Sequence, residues 1–285
     1  MMKTKHVLIA VSLLSLLWIS GCANGLFYHP NQNDYSNPSD SGLVYEDVTF
    51  ASKDGTQLHG WFIPARGQAW ATVIHFHGNA ANISAHLRFV SWLPYKGCNV
   101  LMFDYRGYGA SQGRPFRQGV FEDSMAALDY TLSRNDVDKD RIVFLGQSLG
   151  GANAIAVAAV AGDAAVRALV VDSSFYSYRT IVRDKIGDIP VIGWFKWPLS
   201  YVMATDSFHS GNLIEAISPI PVLIIHGIDD EVVPYHHGQM LYERAKEPKT
   251  FLTVDRGRHI SALTAQGSIY QMKMLDFYRQ SLDFK

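Results

Sequence analysis

The sequence predicts an α/β fold: a mostly parallel central sheet with helices on both faces. Three observations carry this expectation. Two strand-like runs, LVYEDVTF and QLHGWFIP, flank an Asp54-Gly55 turn and read as an antiparallel pair. From Ala71 onward, apolar strands alternate with helical patterns, the order that builds parallel sheets through right-handed crossovers. The strands in that region are unbroken apolar runs, as expected where both faces are covered.

The elements follow in order. Lys3 and Lys5 open the chain, and VLIAVSLLSLLWIS from Val7 is an apolar run too short to span a bilayer comfortably. It leads into Ile19-Ser20-Gly21-Cys22, which resembles the lipobox of bacterial lipoproteins, whose cysteine is acylated and becomes the mature N-terminus. An ordinary signal peptide with an incidental Cys22 is the alternative. The resemblance implies a signal over residues 1–21 and a lipid anchor in the bacterial envelope. If the organism has two membranes, that anchor sits in the outer one, because Ala23 and Asn24 do not supply the retention aspartate. Residues 22–42 are rich in Asn, Ser, Pro, Asp and Gly without periodicity and read as a flexible tether, with the folded domain over 43–285.

Within that domain ATVIHFHG is a strand, NISAHLRFVSWLPYKG has helical spacing, and NVLMFDYRGYG is a strand leading to a glycine-rich turn. GVFEDSMAALDYTLSR is a helix, RIVFLG a strand, SLGGANAIAVAAV a helix and VRALVVDSS a strand. An irregular aromatic section over about 174–213 follows. Then come PIPVLIIHG (strand), YHHGQMLYERAK (helix), KTFLTVD (strand) and a C-terminal helix from Ser261.

Composition narrows the function. Lys and Arg number 25 against 26 Asp and Glu, a formal net charge of -1, so no basic footprint for nucleic acid is present. Only two cysteines exist, Cys22 and Cys98. If Cys22 carries lipid, Cys98 has no partner within the chain and reads as a buried small hydrophobe.

Ligands of open α/β sheets sit at the C-terminal ends of the strands. There, Gly146-Gln147-Ser148-Leu149-Gly150 puts a serine in a tight strand-to-helix turn, with glycines where side chains would collide. The helix beyond it supplies free N–H groups for an oxyanion, the first being Leu149. A serine nucleophile needs a base and an acid to orient it. VLIIHGIDDEVVP offers Asp229, Asp230 and Glu231 after a late strand, and FLTVDRGRHI offers His259 in a turn after the last one. Asp255 is a rival acid by proximity. His75 and His77 alternate along one strand face, but neither a carboxylate nor a cysteine completes a ligand set, so no metal is expected.

HFHGNAANIS, VLMFDYRGYGASQG, GQSLGG and HGIDDEVVP together resemble the α/β-hydrolases, within them the Bem46-like branch of lipid-linked serine hydrolases and their bacterial relatives. The similarity covers nearly the whole chain from Leu43 and is weakest between Ser174 and Leu213. It implies an α/β-hydrolase fold with a small cap insertion over about 174–213, and a triad of Ser148, Asp230 and His259. It also implies an oxyanion hole from the N–H groups of Asn79 and Leu149, and no cofactor. Asp104 and Arg106 on the tight DYRGYG loop are expected to form an internal salt bridge that braces the rim of the site. The expected activity is hydrolysis of carboxylic esters or thioesters, on a small-molecule or lipid-like acyl substrate. A peptidase with the same triad and a non-catalytic envelope scaffold are the alternatives.

Overall fold

Eight strands form one sheet, whose central strands are buried along their whole length and offer apolar side chains to both faces. The eight are β1 (Glu46–Ala51), β2 (Gln57–Ile63), β3 (Ala71–Phe76), β4 (Cys98–Phe103), β5 (Ile142–Gln147), β6 (Ala168–Asp172), β7 (Val222–Gly227) and β8 (Lys249–Val254). The order across the sheet is β8-β7-β6-β5-β3-β4-β2-β1, and every pairing is parallel except β1 with β2 and β2 with β4. The computed structural model describes residues 25–264 and 268–283; the leader run and Cys22 lie outside the described residues.

Side-chain alternation sorts the core into two layers. Ile74, Leu101, Phe144 and Ile224 face one side, under helices α1 (Arg117–Ser133) and α2 (Leu149–Ala161). Val73, Val100, Leu145 and Leu223 face the other, with the segment from Ile83 to Leu93 and the helix at Ser268–Asp283. The α/β-hydrolase architecture read from the sequence is the one observed. Cys98 is free and buried in the second layer, and burial pushes its thiol up to about 12.

Two local expectations change. NISAHLRFVSWLPYKG forms no continuous helix: one turn at Ile83–His86 gives way to 3-10 turns at Leu87–Phe89 and Pro94–Lys96. Pro94 cannot continue a helix, and its apolar neighbours bury against β3 and β4 instead. The described part of the expected tether, from Gly25 to Gly42, is packed rather than free. Phe27 and Tyr28 are buried, and His29–Pro30 pairs in parallel with Ala80–Ala81. Asn37 caps a 3-10 turn at Pro38–Ser41. The composition is that of a flexible tether, yet its aromatic pair reaches the core and Asn37 satisfies a turn.

The cap contains α3 (Tyr178–Gly187), a 3-10 turn at Ile192–Phe195 and α4 (Lys196–Met203). The next helix, α5 (Ser210–Ala216), packs against α2 in the body of the fold. α6 (His236–Arg244) and α7 (Ser268–Asp283) complete the described helices.

The DYRGYG loop is held by charge pairs other than the one its sequence suggests. Arg106 pairs with Asp123 of α1 at 2.8 Å and with Asp54 at 2.8 Å, while Asp104 accepts the Ile83 N–H at 2.9 Å. The Arg106 and Asp123 side chains are 3% and 0% exposed, so losing Asp123 leaves a buried guanidinium with only the half-exposed Asp54 carboxylate. Asp123→Ala is expected to cost about 3–5 kcal/mol in urea unfolding.

Candidate active site

The turn after β5 forces Ser148 to φ 54° and ψ −119°, a region costing about 1–3 kcal/mol for a residue with a Cβ. Two glycines make that turn possible. A Cβ on Gly146 would lie 2.6 Å from the Gly150 carbonyl oxygen, and one on Gly150 would lie 2.0 Å from the Phe76 carbonyl oxygen at the end of β3. The steric demand is thus partly between the two glycines and partly against a neighbouring strand. Gly150→Ala is expected to cost about 3 kcal/mol or more, read as loss of soluble protein or a lower unfolding midpoint.

Asp230 and His259 are brought together. His259 Nδ1 lies 2.8 Å from Asp230 Oδ2 and 3.1 Å from Oδ1. Asp230 Oδ1 also accepts the N–H groups of Val232 at 2.9 Å and Val233 at 2.8 Å. Burial pushes the Asp230 carboxyl up, but the His259 hydrogen bond, its charge and the Val233 N–H outweigh this and hold it below the usual range. Asp229 is exposed and only its backbone is engaged, donating to the Gly257 carbonyl. Asp255 is exposed, and exposed Glu231 pairs with exposed Arg258 at 3.3 Å.

The backbone N–H groups of Asn79 and Leu149 donate to no protein acceptor among the described residues, and both residues line one cavity with Ser148. The Asn79 loop is fixed from behind. Its carbonyl accepts the His29 N–H at 2.9 Å and the Tyr108 hydroxyl at 2.8 Å. Within the described residues no hydrogen bond joins Ser148 Oγ to His259, whose Nε2 remains unengaged. What couples the two turns is a pair that sequence reasoning missed.

That pair is Asp172-Ser173, at the end of β6. Ser148 N–H donates to the Asp172 carbonyl at 2.9 Å, and the Ile260 N–H, next to His259, donates to Ser173 Oγ at 3.1 Å. The buried Asp172 carboxylate accepts from Ser173 Oγ at 3.1 Å and from Gln147 Nε2 at 3.0 Å. Gln147 Oε1 in turn accepts a hydrogen bond from His75 Nε2–H at 3.0 Å, which sets that histidine's tautomer. Burial lowers His75 to about 3 and His86 to about 4, so both are neutral. The available signal was VVDSS, in which a wholly apolar strand ends on a carboxylate.

Burial lifts the Asp172 carboxyl to about 6. Its unfolded value is about 3.9, so between the two the folded state holds a proton the unfolded chain has released. Its share of stability is therefore complete below about pH 4 and lost as pH rises through 6, by about 3 kcal/mol. Asp172→Asn should flatten the fall in unfolding midpoint between about pH 4 and pH 7.

The cavity at Ser148 holds about 290 Å³ and is walled mainly by apolar groups, among them Phe27, Phe175, Ile181, Ile186, Met203 and Val233. Larger grooves lie against α1 and near Pro219, but Ser148 lines neither. Across the cap, His236 and His237 Nε2 each lie 2.8 Å from Asp184 Oδ2. His237 Nδ1 accepts the Tyr176 N–H at 3.1 Å, so its proton sits on Nε2 and points at Asp184. That tautomer leaves no Nε2 lone pair for a metal; the trio latches α3 to α6.

A model of the prolyl oligopeptidase family matches residues 86–285. The YfhR protein of Escherichia coli (strain K12) is 41% identical over 266 residues, covering 92% of this chain and 89% of that protein. The α/β-hydrolase domain-containing protein WAV2 of Arabidopsis thaliana is 37% identical, over 84% of this chain and 80% of its own. Among solved structures, the esterase Pf2001 of Pyrococcus furiosus superposes with a TM-score of 0.72 at 23% identity, covering 90% of this chain and 98% of that one.

Proposed function

The chain belongs to the prolyl oligopeptidase family of α/β-hydrolases and is a hydrolase, and from that premise we propose that it is a serine hydrolase cleaving carboxylic esters or thioesters. The observation that carries this reading is the cavity: Ser148 and the free N–H groups of Asn79 and Leu149 open into one small, apolar space.

The steps follow from the chemistry of the groups. Ser148 Oγ attacks the acyl carbon and passes its proton to His259 Nε2. The carbonyl oxygen becomes an oxyanion held by the Asn79 and Leu149 N–H groups. As the tetrahedral centre collapses, the bond to the leaving oxygen or sulfur breaks and His259 returns the proton to it. Water then attacks the acyl-enzyme, again giving a proton to His259, and the free acid leaves as Ser148 regains its hydrogen. Asp230 fixes the Nδ1–H tautomer and stabilises the imidazolium. The lipid-anchored setting belongs to the same proposal: Cys22 as the acylated residue places the domain on the envelope membrane.

Esters are favoured over peptides because the wall offers an acyl chain apolar contact, whereas a peptide backbone needs polar partners. Nitrophenyl esters of graded length test this. Specificity, kcat/KM, should rise about fourfold per methylene, the worth of about 0.8 kcal/mol of burial, until the cavity fills. A flat length profile, or faster cleavage of peptide amides than of esters, would refute it.

A further inference from the structure

We propose that the outer face of the cap is a bilayer-docking surface that sets the cavity mouth against the membrane, so that the acyl substrate is taken from lipid. The docking stands on the cap alone; the choice of substrate rests on the hydrolase reading above.

The cap between Val191 and Val202 is built inside out. Val191, Ile192, Trp194, Phe195, Trp197 and Tyr201 are all more than 45% exposed, and Trp194 reaches 85%. Single exposed apolar groups are ordinary, but six within eleven residues make a surface that water does not favour. α4 is amphipathic in a particular sense. Leu199 and Met203 pack inward, while Trp197 and Tyr201, one turn apart, point outward. Tryptophan and tyrosine, each with an apolar body and a polar tip, suit the headgroup boundary of a bilayer.

Charge and chain direction select the occupant. The Arg183 guanidinium lies 3.7 Å from the centre of the Trp197 ring, and Arg179 lies 4.4 Å from that of Tyr201. Arg179 also faces Asp206 at 3.6 Å. Two cations are thereby held at the base of the aromatic ridge, at the level where lipid phosphates would meet it. Ile189, just before the ridge, and Met203, at its end, both line the Ser148 cavity, as do Leu26 and Phe27 from the N-terminal turn. The ridge is therefore the rim of the mouth. Cys22 precedes Leu26 by four residues, a reach of at most about 14 Å. An anchor there and the ridge would meet the same membrane from two sides of one opening. A second copy of the chain is the competing occupant, but it accounts for neither the arginines nor the anchor point.

The test uses the full-length protein in vesicles of phosphatidylcholine and phosphatidylglycerol with brominated acyl chains. Bromine quenches tryptophan that reaches the hydrocarbon. Quenching should be strong and should drop in Trp194→Phe/Trp197→Phe, which leaves the other four of the six tryptophans untouched. Equal quenching in both, or a concentration-dependent dimer in place of quenching, would overturn the docking. The triple variant Trp194→Ser/Phe195→Ser/Trp197→Ser should lose tenfold or more in turnover of a long-chain ester embedded in vesicles. Its turnover of a water-soluble short ester should stay at the wild-type level. An equal loss on both esters would overturn delivery from lipid. If the wild type hydrolyses neither ester while the quenching difference persists, the hydrolase reading fails and the docking stands.

Discussion

Ser148→Ala should abolish ester hydrolysis, lowering kcat by about 10⁴- to 10⁶-fold, and should abolish labelling by a fluorophosphonate. Folding should be unchanged. Alanine keeps the Cβ that the turn already accommodates at φ 54°, and the Ser148 N–H bond to the Asp172 carbonyl belongs to the backbone. Only the hydroxyl is lost, so circular dichroism and unfolding midpoint should match the parent while the probe signal disappears. A well-folded variant that retains activity would remove Ser148 from the mechanism. A wild-type protein that takes no label would revive the scaffold reading.

The second large effect separates two neighbouring carboxylates. Asp230→Ala should lower kcat by about 10⁴-fold, because His259 loses the partner that sets its tautomer. Asp229→Ala should change kcat less than twofold, because that side chain is exposed and Asp230 is the carboxylate hydrogen-bonded to the imidazole. The structural cost of Asp230→Ala is real as well. Its carboxylate also accepts the Val232 and Val233 N–H groups, so the variant should unfold at lower urea. Asp230→Asn keeps those acceptors at Oδ1 and serves as the control for folding. It should remain nearly as slow as the alanine variant, since an amide does not stabilise the imidazolium. If Asp229→Ala proves the slow one, the assignment reverses.

Much of the fold was legible because parallel strands buried on both faces announce themselves. ATVIHF, VLMF, RIVFLG and VLII read as continuous apolar runs, and each is a strand of the sheet. The site was legible where a local constraint leaves a local trace. Gly146 and Gly150 mark Ser148 because no other residue fits against Gly150 and Phe76. Less legible was everything held by distant partners. Asp104 and Arg106 are two residues apart in one motif, yet Arg106 answers to Asp123 and Asp54. The stretch from Gly25 to Gly42 has the composition of a linker, and nothing local to it shows that its His29 will hold the Asn79 carbonyl.

The sequence by itself determined the α/β layering, the turn at Ser148 and the position of His259 after the last strand. Each is set by steric or periodic rules acting over a few residues. Local spacing alone leaves Asp229, Asp230 and Glu231 open, and the tertiary structure brings Asp230 to that histidine; it alone shows that Asp172-Ser173 ties its turn to the serine's. The same holds for the cap, whose aromatic residues turn away from the core between Val191 and Val202. These depend on side chains converging from separate strands, and on which face of a short helix meets the core. Spacing along one chain carries no such information, because an aromatic run has the same pattern whether it faces protein or water.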